Sequence, residues 1–345
     1  MRINEVRTVE ELADFITVPT EGLVEVAGRL EGDVMVLGGG GKVGPELVET
    51  LARADRQAGA RRTIHVADLF PDPADPQRAR LERLGAVLHA GDFTARSFLD
   101  DLPDAPHVIF MAGVKFGSSA DWRKAFHLNC IMPYLVGERF SASAVVVYSS
   151  GNPYPHTPVE AGGCTEEDDL EPQGVYGWGI VARESAFRTT ALQFSGQQSC
   201  LFRLMYAQHL GYGVLVDLAR MVLDGEPVSL AMPAVNLVSQ RDAIDLSLRA
   251  LGLCNNPPLV LNCAGPVVRV RHVVERLAVH LGVDAKFAGE EPETALLAND
   301  DLAVRVFGPY RDGVEEMIEA AAGWVNRGGE CWGKPTLFGK VSHRY

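Results

Sequence analysis

Short apolar runs along the chain alternate with segments whose apolar side chains recur every three or four positions. The first run, Val34–Leu37, contains no polar residue and predicts a strand buried on both faces. Further strands are expected at residues 63–67, 86–90, 107–111, 144–148, 200–204 and 259–262. Helical spacing begins at Val43 with Leu47, Val48 and Leu51, and returns over residues 78–84, 95–99, 121–140 and 176–194. In the second half it predicts helices over 215–223, 242–251, 272–281, 293–306 and 313–326. Strands alternating with helices imply an α/β fold, a Rossmann-type doubly wound parallel sheet whose ligands lie at the carboxyl ends of its strands.

The pattern also sets the organisation. Residues 1–32 form an N-terminal extension: Val9, Leu12, Ala13 and Ile16 give an amphipathic helix behind a Thr8–Glu11 capping box, and a second short helix is expected over 22–30. Residues 33–205 are expected to make the Rossmann-type sheet domain, completed by the strand near 259–262. Residues 206–327 mainly make a smaller mixed α/β part for substrate, and 328–345 form a tail without clear period. Proline, glycine and polar residues concentrate at 151–174, a long loop beside the strand ends of the kind that covers a site.

Four consecutive glycines, Gly38 to Gly41, follow the first strand and precede a helix with Pro45 in its first turn. Strand, glycine turn and helix are what a dinucleotide-phosphate loop requires, because a Cβ would hold the backbone away from the pyrophosphate. The new helix presents free N–H groups and its positive dipole end to the phosphates. Gly39, Gly41 and Gly44 satisfy one spacing of this motif and Gly38, Gly41 and Gly44 another. A tight turn with no ligand would need the same glycines. Asp68 closes the second strand, where a carboxylate accepts from both ribose hydroxyls and repels a 2′-phosphate, favouring NAD over NADP; it could equally open the turn that follows. It lies 24 residues beyond Gly44, which implies an insertion in the helix-to-strand loop.

Composition narrows the partners. The chain has 345 residues, 47% of them hydrophobic and 22% charged, as in ordinary globular proteins. A formal charge of -13 argues against nucleic acid or an anionic membrane as the main partner. Six scattered cysteines without a C-x-x-C pair suggest reduced thiols and a cytoplasmic protein. No signal peptide or membrane span is expected. The nine histidines lack zinc spacing, so no metal is expected.

Taken in order, Gly38-x-x-Gly41-x-x-Gly44, Asp68, Gly91-Asp92, Met111-Ala112-Gly113-Val114-Lys115, Asn129, Ser149-Ser150 with Tyr154, and Tyr176-Gly177 resemble the extended short-chain dehydrogenase/reductases. Within these, the NAD-dependent epimerase/dehydratase group acting on nucleotide sugars is the most similar, over roughly residues 33–285, and the Ala112–Lys115 segment is similar to that of UDP-galactose 4-epimerases. The resemblance implies the Gly38 register and a bound NAD held by Gly38, Gly41, Lys42, Val43, Gly44, Asp68, Leu69, Asp92, Phe93, Ala112, Gly113, Lys115, Asn129, Ser149 and Tyr176. It also implies Tyr176 as the residue that moves the proton of a secondary hydroxyl, Ser150 as its hydrogen-bonding companion, and a homodimer formed through the helices bearing Asn129 and Tyr176.

Three positions depart from that pattern. The lysine expected one helical turn after the tyrosine, which lowers the phenol pKa, is replaced by Ile180. Lys115 is the leading substitute, unless it is an ordinary surface lysine. Arg203 is followed by Leu204, Met205 and Tyr206 rather than by an asparagine, and Arg241 sits later than the usual diphosphate clamp. Losing two anion contacts favours a free sugar, sugar acid or other polyol-like substrate over a nucleotide diphosphate. Asn129 is as suited to bracing backbone as to relaying protons, Asp92 to capping a helix, and Tyr176 to packing. The expected function is an NAD-dependent epimerase/dehydratase-like oxidoreductase acting on a sugar-like hydroxyl. The alternative is a non-catalytic dinucleotide-binding sensor or scaffold, which Ile180 favours.

Overall fold

The computed structural model describes residues 1–115, 117–333, 336 and 338; residues 334, 335, 337 and 339–345 of the expected tail lie outside the described residues. Two helices, α1 (Val9–Ile16) and α2 (Glu21–Arg29), precede the first strand, β1 (Val34–Leu37). The chain then alternates through α3 (Gly44–Ala58), β2 (Ile64–Asp68), α4 (Pro76–Arg83), β3 (Val87–Ala90), α5 (Arg96–Asp101) and β4 (His107–Phe110). Next come α6 (Trp122–Phe126), a π-turn (His127–Ile131), α7 (Met132–Arg139), β5 (Ala144–Ser150), a short β6 (His156–Pro158), α8 (Gly174–Gln193) and β7 (Gln198–Leu204). The second half comprises β8 (Ala207–Gln208), α9 (Val214–Leu223), β9 (Val228–Ser229), β10 (Ala234–Asn236), β11 (Val238–Ser239), α10 (Gln240–Arg249) and β12 (Leu259–Cys263). It ends with β13 (Val267–Arg269), α11 (Val270–Leu281), β14 (Phe287–Ala288), β15 (Thr294–Leu296), α12 (Asp301–Phe307) and α13 (Val314–Asn326).

Seven strands form one parallel sheet in the order β12-β7-β5-β4-β1-β2-β3. Alternate residues of each strand enter different layers. Val34 and Val36 pack with Leu47, Val48 and Leu51 of α3, while Met35 and Leu37 pack with Val136 and Phe187 of α7 and α8. A sheet covered on both faces by helices is what the uninterrupted apolar runs require. Strand order reverses direction between β1 and β4, which defines a crevice at their carboxyl ends.

The N-terminal extension is built into this body. Thr8 accepts from the Glu11 amide at 3.1 Å and Glu11 returns a bond to Thr8, so the capping box forms. Asp245 of α10 accepts from both the amide and the hydroxyl of Thr20. Among the described residues no helix is long and apolar enough to cross a membrane. The six cysteines are unpaired thiols.

The structure corrects three expectations. The segment 121–140 is not one helix: the π-turn interrupts it and turns Asn129 inward, fully buried. The segment 293–306 divides into β15, paired antiparallel with β6, and α12. Its consecutive residues Ala295, Leu296, Leu297 and Ala298 are all buried, a strand-like run that mimics helical apolarity. The spacing between Gly44 and Asp68 reflects no inserted loop, because α3 runs 15 residues and only residues 59–63 connect it to β2.

Candidate active site

The crevice begins at the glycine turn. Gly38 has φ +89°, and a Cβ there would stand 2.6 Å from the Ala112 amide nitrogen; one on Gly44 would overlap the Gly39 carbonyl. These glycines let the β1–α3 turn touch the β4 loop and fold onto itself. Gly41 differs: a Cβ there would meet nothing nearer than 3.6 Å, so its missing side chain leaves open space above the loop. The α3 helix starts at Gly44 with no side chain capping it, and Pro45 lies in its first turn. The amides at its amino end therefore have no intrahelical acceptors, a ready seat for an anion.

Asp68 closes β2 and faces this turn. One carboxylate oxygen accepts from the Gly40 amide at 2.8 Å and the other from the Leu69 amide at 2.7 Å. Leu69 is exposed, and Phe70 behind it holds φ +41°, a backbone conformation unusual for an aromatic residue. At the end of β3, Asp92 accepts from the Thr94 amide at 2.8 Å, which holds its carboxyl below the usual range, and Phe93 packs against Phe98. Lys42 places its ammonium 3.4 Å from the centre of the Tyr212 ring, a cation–π contact.

The β4 loop is held from several sides. Ala112 donates its amide to Leu37, and its carbonyl accepts from Arg183 at 2.9 Å. Asn129 clamps Val114 twice: its Oδ1 accepts from the Val114 amide at 3.1 Å and its Nδ2 donates to the Val114 carbonyl at 2.7 Å. Arg183 also donates to Asn129 Oδ1 and to the Tyr148 carbonyl. Lys115, next after the clamped residue, is pushed down to about 8, mainly by burial and then by repulsion from Lys42.

Tyr176 lies in the first turn of α8, and its ring centre is 5.3 Å from the Lys115 ammonium. Ile180, one turn on, is 2% exposed. Ser150 ends β5 and accepts from the Asn152 amide at 3.1 Å. A cavity of about 40 Å³ opens between Lys115, Ser150, Asn152, Leu204, Met205, Tyr206 and Leu296. A larger groove of about 830 Å³ lies elsewhere, around the residues leading into β12, and contains none of the glycine-turn, Ser150 or Tyr176 groups. The small cavity brings Lys115 and Ser150 together, and the large groove holds neither.

Two of the expected contacts point elsewhere. The Ser149 hydroxyl donates to Glu184 at 2.6 Å and is buried, and Asn129 is engaged by Val114 and Arg183. Asn129 braces the β4 loop backbone, and Ser149 ties β5 to α8 through the Glu184 carboxylate. Arg241 pairs with Asp312 at 2.7 Å and stacks on Phe15, away from the cavity. Three residues central to the framework carried no role in the sequence reading: Arg183, Tyr154 and Asn262. Tyr154 donates to Asn262 at 2.8 Å and accepts from Arg203 at 2.7 Å. Arg183, seven residues after Tyr176 and on the same helix face, was the one with a legible signal. Among the described residues no cluster of three or more His, Cys, Asp or Glu side chains could hold a metal.

Comparison with known protein families finds no matching family model, and comparison with curated proteins finds no match. Solved structures do match. MoeE5 in complex with UDP-glucose and NAD is 21% identical, with a TM-score of 0.67 over 86% of this chain and 99% of that one. UDP-glucuronic acid 4-epimerase from Bacillus cereus in complex with NAD is 16% identical, with a TM-score of 0.67 over 86% and 99%. The UDP-glucose 4-epimerase of Thermus thermophilus in complex with NAD is 19% identical, with a TM-score of 0.67 over 84% and 98%. The chain therefore shares the Rossmann-type fold of these structures, across nearly their whole length.

Proposed function

We propose that the protein is an NAD-dependent epimerase/dehydratase-like oxidoreductase acting on a secondary hydroxyl of a sugar or sugar-like substrate. One set of contacts supports the proposal: the glycine turn after β1 meets Asp68 of β2 and Ala112 of the β4 loop, and Lys115 of that loop lies near Tyr176 and shares a cavity with Ser150 of β5. The open space at Gly41 and the uncapped start of α3 suit a pyrophosphate, and the Asp68 carboxylate suits an unphosphorylated ribose. Gly38, Gly44, Lys42, Val43, Leu69, Asp92, Phe93, Ala112 and Gly113 shape the walls of that seat. The similar structures named above are complexes with NAD, one of them also with UDP-glucose, and support the same assignment.

When bound, the nicotinamide supplies the hydride acceptor. The residues here handle the proton: Ser150 hydrogen-bonds the reacting hydroxyl, and the Tyr176 oxygen takes its proton as the C–H electron pair leaves. The product is the ketone, and reversal of both transfers regenerates an alcohol. Residues 33–205 with the strand at 259–262 hold the cofactor, and residues 206–327 mainly shape the substrate side. The engagement of Arg241 by Asp312 favours a polyol or sugar acid over a nucleotide diphosphate.

Exposed apolar side chains on α6, the π-turn and α8, namely Trp122, Phe126, Ile131 and Trp178, support a homodimer formed through these helices. The thiols, none of them paired, support a cytoplasmic setting. Native mass spectrometry tests cofactor retention, and NADH absorbance with a panel of sugars and sugar acids tests turnover. Bound NAD without turnover of any panel member, and no effect of Tyr176→Phe, would instead support a non-catalytic dinucleotide sensor, the reading favoured by Ile180.

A further inference from the structure

A phenol with an ordinary pKa near ~10 is a weak base at neutral pH and needs a neighbouring positive charge to give up its proton. On α8 the position one turn beyond Tyr176 offers none, since Ile180 is apolar and buried. The positive charge arrives from another element. Lys115 leaves the end of β4, reaches within 5.3 Å of the Tyr176 ring centre, and shares the small cavity with Ser150.

The geometry points to Lys115 as the cation that activates Tyr176, an ammonium supplied across the crevice by the β4 loop instead of along α8. This inference rests on the proposed role of Tyr176 and Ser150. It concerns a site whose lysine has moved to a different strand, with the apolar Ile180 filling the original place.

Three features support it. First, the backbone leading to Lys115 is fixed by Asn129 on both polar groups of Val114 and by Arg183 on Ala112, so the ammonium is delivered from a rigid base. Second, a half-buried ammonium gains when an anion forms beside it, and a phenolate is that anion. The downward shift of Lys115 to about 8 reflects the cost of that burial and repulsion from Lys42, both of which an anion beside the ammonium would offset. Third, the other charged groups nearby are held by other partners, although buried Arg183 on α8 also feels the Tyr176 phenol and is the rival cation. Lys42 stacks on Tyr212, Arg183 donates to two backbone carbonyls and Asn129, and Glu184 is tied to Arg203 and Ser149.

The test uses the whole protein without substrate. Tyrosines labelled at Cζ with carbon-13 are titrated by NMR, with Tyr176 assigned from the signal lost in Tyr176→Phe. Lys115→Met is expected to raise the Tyr176 titration by at least one pH unit, a tenfold change in its acid constant. Lys115→Arg is expected to hold it low, and Lys115→Met combined with Ile180→Lys to bring it back down. Superimposable Tyr176 titrations in wild type and Lys115→Met would overturn the inference and leave Arg183 as the acting cation. Lys115→Gln provides the same comparison should the methionine variant fail to fold. Because the titration needs neither NAD nor turnover, a negative result here is distinct from failure of the oxidoreductase proposal, which is read by cofactor retention and the substrate panel.

Discussion

Arg203 and Glu184 form a two-pronged ion pair inside the protein, Nε to Oε1 at 2.9 Å and Nη2 to Oε2 at 2.7 Å, with each side chain 4% exposed. The pair ties β7 to α8 directly beneath Ser149, whose hydroxyl shares the same carboxylate. Removing one partner would strand a buried charge. Glu184→Ala is therefore expected to lower stability by about 3–5 kcal/mol, read by urea denaturation. A loss under ~1 kcal/mol would show that Arg203 finds other partners.

The glycine turn separates fold from binding. Gly44→Ala drives a methyl group into the Gly39 carbonyl, so the thermal midpoint should fall steeply. Gly41→Ala places its methyl in open space, leaving the midpoint nearly unchanged while NAD affinity drops, by roughly tenfold or more, in calorimetric titration. Equal NAD affinity in Gly41→Ala and wild type would mean that the pyrophosphate does not lie over Gly41.

Lys115 should cost stability at neutral pH. Its folded pKa, about 8, lies below the ordinary lysine value, so between the two the unfolded chain binds more protons and stability rises with pH. The penalty is present in full below pH ~8 and fades by pH ~10.5, with an upper size on the order of 3 kcal/mol. Lys115→Met should thus stabilise the protein at pH 6.5 and do much less at pH 10 in paired denaturant curves. A stability difference that does not vary with pH would remove buried charge as the cause.

Tyr212 acts in the opposite sense. Burial and the negative charge of Asp217 push its phenol up to about 12, so from pH ~10 upward the unfolded chain loses this proton first and stability falls. Tyr212→Phe is expected to shift alkaline unfolding to higher pH, followed by circular dichroism. An unchanged alkaline transition would place the weak point at other buried phenols such as Tyr148.

The proposed dimer depends on an apolar surface. Phe126 and Trp178 are more than half exposed, an unusual state for large rings on two helices that pack together. Trp178→Asp should halve the mass seen by light scattering. A monomeric wild type under the same conditions would refute the dimer outright.

The parallel sheet was legible because its strands are short, mainly apolar runs, several followed by glycine, aspartate or serine, so Leu37, Asp68 and Ser150 all fell at strand ends as expected. The second half was less legible. Strands such as Ala207–Gln208 and Phe287–Ala288 are two residues long, too short for any period to register, and pair with segments far away in sequence. The π-turn was hidden because 121–140 keeps an apolar face across it. In the site, residue identities announced the glycine turn, but the inward aim of Ser149 and Asn129 depends on Glu184 and Arg183, whose burial no local pattern discloses.

The strand β12 sets how the molecule must assemble. It comes from beyond α10 yet lies on the edge of the main sheet beside β7, in register from Leu259 opposite Cys200 to Cys263 opposite Leu204. A nascent chain ending near residue 205 would expose β7 as an unpaired hydrophobic edge, an invitation to stick to other chains. Residues 33–205 and 206–327 are therefore not separable modules. They should melt in a single transition, and neither should be recoverable as an independently folding fragment.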